Sequence, residues 1–383
     1  MHCEFALGRG RFVVAATNIA AGSVIFKEEA YCVAPSVSNT KAQRCVYCCG
    51  DAHNPFGKCN KCGSAYCCEE CWSAHSSNHS ETGECCAVGF TKIAAKSVPE
   101  EDRDTFEMAC LVLGRCAAEK KSDRLCRMLT CAENTSFETV GSGMEVASPL
   151  QFLNTGVSPD TVFVPSYDHV ECLGTNMRET NPEIVDDFSE LYYIYVETLQ
   201  HKKYLQLARS YEHKMPCDVS CETFVAICTA FLCNGFGIWN SVNRQLGVAL
   251  YPQSSYFNHS CSPNMGRRNV RKSRNIEFFA ARNIEKGEPL CISYIDLKLP
   301  AVERKRKLRA TYSFDCTCIR CDPAADFIVA NTVCCSCVPA LCCNCISKVM
   351  QPLGMGCTYA HAATRSKKRR ETRLASKNEF LIV

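Results

Sequence analysis

Short apolar stretches lie near both ends of the first 300 residues, and they are the first pattern that the chain shows. Arg11–Ala16 and Ser23–Phe26 are apolar and partly β-branched, which predicts two short strands. The same composition predicts strands at Ile276–Ala281 and Leu290–Ile295, joined by a turn at Glu285–Gly287. Two groups of strands therefore stand far apart in the sequence.

The middle of the chain is mostly helical in pattern. Apolar residues at three- and four-residue intervals predict helices over Asp102–Leu113, Glu183–Tyr211 and Cys221–Leu232. The last of these helices should end near Asn234-Gly235, because glycine permits a left-handed cap. Thr135–Asn181 is rich in Ser, Thr, Gly and Pro without a period and is predicted to be a loop. Short strands around a long helical insert predict an α+β fold.

Two stretches are strongly basic. Five Arg or Lys residues occur between Arg267 and Arg274, a run typical of a solvated turn between strands. Val302–Leu308 predicts a basic helix within Pro300–Thr311. The formal net charge of the whole chain is only +3, so its composition gives no case for direct nucleic-acid binding.

Cysteine is the unusual component, with 33 among 383 residues. The segment Met1–Gly10 lacks the apolar region of a signal peptide, and no run of about eighteen apolar residues occurs. We therefore expect a reducing compartment and no membrane span. In that setting Cys-x-x-Cys pairs are more typical of metal sites than of disulfides.

Eight potential zinc ligands occur within about forty residues, enough for two tetrahedral sites. They are Cys45, Cys48, Cys59, Cys62, Cys67, Cys71, His79 and Cys85. A segment this short cannot build its own apolar core, so metal binding should supply much of its folding free energy. His75 and Cys86 are alternative ligands, and the last position stays open between Cys85 and Cys86.

Further motifs stand outside this array. Gly8-Arg9-Gly10 would let the backbone approach a ligand closely. The stretch Tyr256–Asn264 is predicted to be a loop that carries two polar side chains just before a cysteine. Gly287–Tyr294 follows, and the segment Cys316–Cys321 ends the series with three cysteines, one ligand short of a tetrahedral site.

In this order the motifs resemble the SET domain, and the array at 45–86 resembles a MYND zinc module. The combination is similar to SET-and-MYND (SMYD-type) protein-lysine methyltransferases over about residues 5–323. The resemblance implies a SET β-fold that is split by the MYND module and a helical insert. The expected units are residues 1–44 as the N-terminal portion of SET, 45–86 as the MYND module, 87–230 as the helical insert, 231–299 as the C-terminal portion of SET, 300–323 as the post-SET zinc segment and 324–383 as a Cys-rich, basic tail.

The resemblance also implies three zinc ions. Two would lie in the MYND module with interleaved ligands, one held by Cys45, Cys48, Cys67 and Cys71 and the other by Cys59, Cys62, His79 and Cys85. The third would lie in the post-SET segment, on Cys261, Cys316, Cys318 and Cys321. The five residues between His79 and Cys85 depart from the family's usual three. Pro289 and Cys291 are further departures, in a strand that more commonly carries Glu and Thr.

The methyl donor implied by the resemblance is S-adenosylmethionine. Its expected contacts are Gly8, Arg9, Gly10, Asn234, Ser255, Asn258, His259, Tyr294 and Phe314. Tyr294 and Tyr312 would line a narrow channel that aligns the target lysine with the donor and favours the uncharged amine. Both tyrosines could instead be core aromatics, and Asn234 could be only a helix cap.

The resemblance ends with the tail. Cys334, Cys337, Cys342 and Cys345 could hold a further zinc or belong to an unstructured segment. The run Lys367–Arg370 could be a nuclear import signal, although basic runs are common in tails.

The expected partner is a protein with a target lysine, on a histone tail or on a non-histone protein. The MYND module could also bind a proline-rich peptide, and we expect a monomer in the nucleus, the cytoplasm or both. The substrate and the degree of methylation do not follow from the sequence. The alternative hypothesis is a non-catalytic adaptor that recruits proline-rich nuclear regulatory partners.

Overall fold

The strands form several small sheets in the computed structural model, which describes residues 1–6, 10–36, 43–122, 161–240 and 244–321. In chain order they are β1 (His2–Ala6), β2 (Gly10–Val14), β3 (Val24–Glu29), β4 (Cys32–Pro35), β5 (Gly57–Lys58), β6 (Ala65–Tyr66), β7 (Val162–Phe163), β8 (Gly235–Trp239), β9 (Gln245–Leu250), β10 (Asn258–His259), β11 (Met265–Asn269), β12 (Asn275–Ala280) and β13 (Cys291–Ile292). The larger sheets have the orders β11-β12-β3-β7 and β4-β9-β8. Three further pairs are β1-β2, β5-β6 and β10-β13.

Both larger sheets join strands from opposite ends of the chain. β3 pairs antiparallel with β12, which places Phe26 opposite Phe278. β4 pairs with β9 in the same way, with Cys32 opposite Leu250. Side chains of these strands pack in one buried cluster that includes Val13, Phe26 and Phe278. The two distant groups of strands predicted from the sequence thus build one common core.

The helices fill the region of the chain between these strands. They are α1 (Glu69–His75), α2 (Glu84–Ala94), α3 (Arg103–Ala118), α4 (Tyr167–Val170), α5 (Pro182–Gln200), α6 (Lys202–Ala208), α7 (Cys221–Asn234) and α8 (Ala301–Tyr312). Large aromatic side chains of α2, α3, α5 and α7 pack together: the ring centroids of Phe90 and Tyr195 are 5.2 Å apart, and those of Tyr195 and Phe224 are 5.4 Å apart. The predicted α+β class is confirmed, and none of the helices in the described ranges is long and apolar enough to cross a bilayer.

Several predicted element boundaries were wrong, each for a local reason. The predicted helix Glu183–Tyr211 is two helices, because His201 has an extended ψ of 131° and its ring accepts a hydrogen bond from the Lys203 amide at the start of α6. Gly235 does not form a left-handed cap: its φ is −72°, because it begins β8 directly. The predicted strand Leu290–Ile295 shortens to β13.

The predicted loop at Thr135–Asn181 holds for most of its described residues, but β7 and α4 interrupt it within residues 161–181. Residues 135–160 are outside the described ranges. Gly8, Arg9 and the whole tail, including Cys334, Cys337, Cys342, Cys345 and Lys367–Arg370, are outside them as well.

The prediction that the basic run is a solvated turn was right for only some of its residues. Arg268, Arg271 and Lys272 are exposed, but Arg267 and Arg274 are only 4% and 3% exposed. Arg267 lies on β11 and Arg274 in the bend before β12, and both side chains are turned into the protein.

Candidate active site and zinc centres

Among the residues that the structure describes, three clusters of cysteine and histidine side chains have the geometry of tetrahedral metal sites. In each cluster the candidate ligand atoms lie within 4.8 Å of one another. The clusters are Cys45, Cys48, Cys67 and Cys71 (the first module cluster); Cys59, Cys62, His79 and Cys85 (the second module cluster); and Cys261, Cys316, Cys318 and Cys321 (the closing cluster). This is the grouping that the resemblance implied, including Cys85 rather than Cys86.

Distances between the sulfur atoms fit zinc. Thiolates at about 2.3 Å from a tetrahedral zinc ion would be about 3.8 Å apart. The sulfurs of Cys48 and Cys67 are 3.6 Å apart, and those of Cys59 and Cys85 are 3.5 Å apart. In the closing cluster, Cys261 is 3.5 Å from Cys321 and 4.0 Å from Cys316. The donor atoms are therefore arranged for zinc, while zinc binding itself stays a prediction.

In each cluster, hydrogen bonds between neighbouring thiols favour ionisation of at least one cysteine. Hydrogen bonding with Cys48 lowers the pKa of Cys45 to about 5, and hydrogen bonding with Cys85 lowers the pKa of Cys62 to about 3. In the closing cluster, hydrogen bonds with Cys261 and then Cys316 hold the pKa of Cys318 well below its usual value. Thiolate is the form that ligates metal.

A buried ionic network lies behind the second module cluster. Glu84 accepts two hydrogen bonds from Arg274, at 2.9 and 3.0 Å, and lies 2.9 Å from the His75 ring. Burial opposes ionisation of Glu84, yet the charge of Arg274 and the bond to His75 hold its pKa well below the usual range. The other ring nitrogen of His75 is 3.1 Å from the Tyr66 hydroxyl. Both nitrogens of His75 are engaged in this network, and the ligand atoms of Cys59, Cys62, His79 and Cys85 come together without it. His75, His79 and Glu84 also lie close enough to share an ion, so His75 stays an alternative ligand.

Glu84 also faces the predicted ligand His79. The Nε2 atom of His79 lies 3.3 Å from the Cys62 sulfur, and its Nδ1 lies 4.0 Å from a Glu84 oxygen. A carboxylate behind a metal-bound histidine fixes the ring orientation and increases its basicity. Arg274, the residue before β12, thereby connects the zinc module to the main sheet.

Arginines of the last helix and loop surround the closing cluster. Arg304 of α8 is 4% exposed, and its Nε donates to the Cys261 sulfur at 3.3 Å. A second guanidinium nitrogen of Arg304 is 3.7 Å from the Cys321 sulfur. Arg320 donates to the Cys261 carbonyl at 2.8 Å. These cations offset the negative charge that four thiolates would retain around one zinc ion.

Sequence reasoning missed Arg304 although a signal was present. Arg304, Leu308 and Tyr312 are four residues apart, and all three are buried. They therefore share the inner face of α8. Because the helix was identified only by its many basic residues, the inward-facing Arg304 was not distinguished from the exposed ones.

The closing cluster is in contact, through His259, with the stretch Tyr256–Asn264, which we call the central loop. The Nδ1 atom of His259 accepts a hydrogen bond from the Tyr294 amide at 3.0 Å, and Nε2 is 3.2 Å from the Cys261 sulfur. The backbone amide can only donate, so Nε2 carries the proton and donates to the sulfur. Burial lowers the pKa of His259 to about 4, which keeps the ring neutral.

Tyr294 lies at the centre of an aromatic group. Its hydroxyl donates to the Phe257 carbonyl at 2.9 Å, and its ring centroid is 4.8 Å from that of Tyr312. Phe314 packs edge-on, with ring centroids 6.4 Å apart. Burial raises the pKa of Tyr294, so the phenol is neutral. The two predicted channel tyrosines are therefore neighbours in space.

A narrow cavity opens beside this aromatic group. Its described lining consists of Cys233, Asn234, Gly235, Phe236, Ser255, Phe257, Arg267, Ile292, Ser293, Tyr294 and Tyr312. Four predicted site residues, Asn234, Ser255, Tyr294 and Tyr312, meet here. Arg267 and Cys233 were not predicted, because neither lies in a motif that resembles the family.

Two predicted donor contacts at the cavity wall, Asn234 and Ser255, make local hydrogen bonds, and two others, Asn258 and His259, lie on a neighbouring strand. Asn234 donates both amide hydrogens to backbone carbonyls, those of Gly174 at 2.9 Å and Ala230 at 2.7 Å, so any donor contact would use its side-chain oxygen. The Ser255 hydroxyl donates to the Tyr251 carbonyl at 3.0 Å. Asn258 and His259 form β10 beside β13.

Gly10 begins β2, next to the central loop. Its φ is +69°, a conformation that favours glycine. The neighbouring Arg11 donates to the Tyr256 hydroxyl at 3.2 Å, and the Val13 carbonyl accepts from the Leu290 amide at 2.7 Å. β2 therefore contacts both the central loop and the Gly287–Tyr294 motif.

Comparison with known proteins gives the same family over most of the chain. The model of the SET domain matches residues 10–295. A SET and MYND domain-containing protein of Dictyostelium discoideum is 28% identical over 327 residues, covering 82% of this chain and 79% of that protein. Histone-lysine N-methyltransferase SMYD3 of Mus musculus is 36% identical over 137 residues, covering 33% of this chain and 31% of the mouse protein.

Two further proteins are also similar to this chain. SMYD3 of Homo sapiens is 40% identical over 103 residues, which cover 26% of this chain and 24% of the human protein. The crystal structure of the SET domain of LSMT bound to lysine and AdoHcy covers 82% of this chain and 52% of that chain, with a TM-score of 0.37 and 12% sequence identity.

Proposed function

Because this chain belongs to the SET domain family and is similar to its SET-and-MYND members, we propose that it is an S-adenosylmethionine-dependent protein-lysine N-methyltransferase. The observation that carries the proposal is the position of Tyr294. Its backbone amide bonds His259, its hydroxyl bonds the Phe257 carbonyl, and its ring packs on Tyr312 beside the cavity. A tyrosine that served only as core would not need to join the Asn-His loop to the mouth of a cavity.

The residues that line the cavity suit the uncharged amine of a lysine better than its ammonium form. A lysine must lose its proton before its nitrogen can attack a methyl group. A solvated lysine keeps that proton at neutral pH, because its pKa is about 10.4. Phe236, Phe257 and Ile292 exclude water, while the phenols of Tyr294 and Tyr312 supply neutral oxygen atoms. Such surroundings favour the uncharged amine, and they hold its nitrogen in line with the methyl carbon.

The methyl donor, when bound, supplies a methyl group on a positively charged sulfur. Asn258, His259 and Gly10 would hold its polar parts, and Phe314 would pack on its adenine. The neutral state of His259 is suited to this position, because an imidazolium would repel the sulfonium. The side-chain oxygen of Asn234 and the hydroxyl of Ser255 are further candidate contacts at the cavity wall.

The role proposed for the zinc ions is structural. Four protein ligands in each cluster leave no open coordination position for a substrate. The closing cluster would fix Cys261 and, through the hydrogen bond to its sulfur, the ring of His259. The module clusters would stabilise the short segment at residues 45–86.

The substrate proposal is coarser. We propose that the substrate is a lysine in a histone tail or in a non-histone protein, in the nucleus or the cytoplasm. We further propose that the protein acts as a monomer and that the zinc module could contact proline-rich segments of its substrates.

A labelled-methyl assay on an array of lysine peptides, with zinc measured on the same sample, tests the proposal. We expect label on some peptides and a Kd for S-adenosylmethionine that calorimetry can measure. A folded, zinc-loaded protein that binds no S-adenosylmethionine would instead support the non-catalytic adaptor.

Replacement of the Tyr294 hydroxyl tests the central residue. In Tyr294→Phe we expect methyl transfer to fall by about a hundredfold, because a positioned hydroxyl contributes about that much when it acts on the reacting groups. Thermal unfolding should change little, since the phenylalanine keeps the ring and its packing on Tyr312. Tyr193→Phe is the matched control, because Tyr193 is 63% exposed. Equal rates in the two variants would remove Tyr294 from the mechanism.

A further inference from the structure

Three of the cysteines that would ligate zinc in the module are followed directly by a second cysteine. The pairs are Cys48-Cys49, Cys67-Cys68 and Cys85-Cys86. The second member of each pair lies outside the four-ligand clusters that the structure describes. The surroundings of these three extra thiols differ, and the difference points to a role for one of them.

Two of the extra thiols belong to the apolar core. Cys49 is 0% exposed and packs with the strands of the main sheet, where its sulfur lies 2.5 Å from the place that a Cβ on Gly247 would take. Cys86 is 1% exposed and packs among the helices. A buried cysteine of this kind acts as a small apolar side chain. We therefore assign neither Cys49 nor Cys86 to a metal ion.

Cys68 has different surroundings. It is only partly buried, and its sulfur lies 3.7 Å from the sulfur of Cys67, a ligand of the first module cluster. That separation is close to the 3.6 Å between the ligand sulfurs of Cys67 and Cys71. Burial, then the charge of Cys45 and a hydrogen bond with Cys68, raise the pKa of Cys71. The thiol of Cys68 therefore contacts two ligands of the cluster.

The sulfur of Cys68 does not cap the helix that follows it. Cys68 is the N-cap residue of α1, a position where Ser, Thr, Asp and Asn prevail because their oxygen accepts a hydrogen bond from the first turn. The side chain of Cys68 makes no such bond. Hydrogen bonds, first from Lys272 and then from the Cys68 thiol, lower the pKa of the exposed Glu70 to about 2. The thiol thus lies between the cluster and the surface, and helix capping does not account for it.

The thiols of Cys67 and Cys68 are poorly placed for a disulfide. Consecutive Cα atoms are about 3.8 Å apart across a trans peptide bond, whereas disulfides usually join Cα atoms about 4.4–6.8 Å apart. A bond between neighbouring cysteines is therefore strained. Ligand exchange on a metal ion has no such restriction, because thiolates around one zinc ion stay about 3.8 Å apart. The geometry favours exchange over a disulfide.

We propose that Cys68 is a replacement ligand of the first module cluster, whose thiolate takes the coordination position of Cys67 when that residue is modified. The inference rests on the proposed zinc sites and is independent of methyl transfer. Cys67 is partly exposed, and exposed thiolates are the ones that oxidants reach.

Hydrogen peroxide illustrates the exchange. The Cys67 thiolate attacks one peroxide oxygen, the oxygen–oxygen bond breaks, and the products are a sulfenic acid on Cys67 and a hydroxide ion. Cys68 then loses its proton, which joins the hydroxide to form water. The Cys68 thiolate binds in place of Cys67. The cluster keeps four thiolates, so the module keeps its ion.

Zinc content after single replacements tests the inference. We expect Cys67→Ser to hold as many zinc ions per chain as wild type by atomic absorption, because Cys68 takes the vacant position. Cys67→Ser/Cys68→Ser should hold one ion fewer. Cys59→Ser is the matched control, since Cys59 is a partly exposed ligand of the second module cluster without an adjacent cysteine, and it should also hold one ion fewer.

Two results of this experiment would overturn the inference. The first is a folded Cys67→Ser protein that has lost one ion. The second is a Cys67→Ser/Cys68→Ser protein that keeps all of its ions, because the replacement thiolate would then come from elsewhere. A wild type that holds no zinc overturns the proposed zinc sites themselves.

An oxidation time course keeps the inference testable if Cys67→Ser does not fold. Wild type and Cys68→Ser are exposed to hydrogen peroxide while a colorimetric chelator follows zinc release. Cys68→Ser should fold, because serine is a favoured N-cap residue. We expect one ion per chain to leave Cys68→Ser at least about tenfold faster than it leaves wild type.

Cys217→Ser controls for the loss of one reactive thiol, since Cys217 is exposed and lies outside the clusters. It should release zinc at the wild-type rate. Equal release from wild type and Cys68→Ser overturns the inference. Slower release from Cys68→Ser overturns it as well, because Cys68 would then promote loss of the ion by forming a disulfide.

Discussion

The second module cluster and the closing cluster have similar ligands but different surroundings. Behind the module cluster stands a carboxylate, Glu84, whose charge is balanced by Arg274 and His75. Around the closing cluster stand Arg304 and Arg320, and one of its ligands, Cys261, is bonded to His259 of the candidate active site. The second module cluster is thus connected to the main sheet, and the closing cluster is connected to the candidate active site. A substitution that disrupts one cluster should therefore have different consequences from a substitution that disrupts the other.

The strongest test of this difference is Cys316→Ser. We expect it to remove one zinc ion per chain and to lower methyl transfer by at least about a hundredfold, because His259 and Tyr294 lose the fixed sulfur behind them. Atomic absorption and the labelled-methyl assay measure the two effects on one sample. Cys217→Ser is the control, since Cys217 is exposed and lies outside the clusters. Normal turnover with one zinc lost would show that the closing cluster does not support the site.

Glu84→Gln should have the opposite profile. We expect it to lower the free energy of unfolding by about 3–5 kcal/mol, because Arg274 is left buried without its carboxylate partner. Activity per folded molecule should stay near wild type. Denaturant unfolding and active-site-normalised rates measure this, and Glu70→Gln is the control because the Glu70–Lys272 pair is exposed. A large fall in rate with intact stability would contradict the division between scaffold and chemistry.

Arg304→Met should have the smallest effect. We expect chelators to remove zinc from the closing cluster about tenfold faster, since two N–H groups no longer stabilise the thiolates. A colorimetric chelator assay follows the release, and Arg306→Met on the exposed face of α8 is the control. Release at the wild-type rate would mean that the zinc site does not depend on Arg304.

Local spacing predicted the clusters well because metal ligands have short, regular separations. Spacing was enough to identify the Cys-x-x-Cys pairs and the segment Cys316–Cys321 as candidate ligands, while the interleaved grouping of the module ligands and the place of Cys261 came from the family resemblance. Glu84 and Arg274 were not predicted, because their contact joins positions that are 190 residues apart in the sequence. Arg267 was assigned to a solvated run, because which face of a strand is buried depends on pairing that the local sequence does not reveal.

The pairing of β3 with β12 has a consequence for synthesis on the ribosome. Val24–Glu29 must wait until Asn275–Ala280 has emerged, a delay of about 10 to 50 seconds at ordinary elongation rates. During that interval the early strand has an unsatisfied hydrogen-bonding edge, whereas all ligands of the zinc module have already left the tunnel. We expect the nascent chain to bind its first metal ions before the strands β8–β13 have been synthesised. We also expect it to depend on chaperones that shield the open strand edges until those strands have emerged.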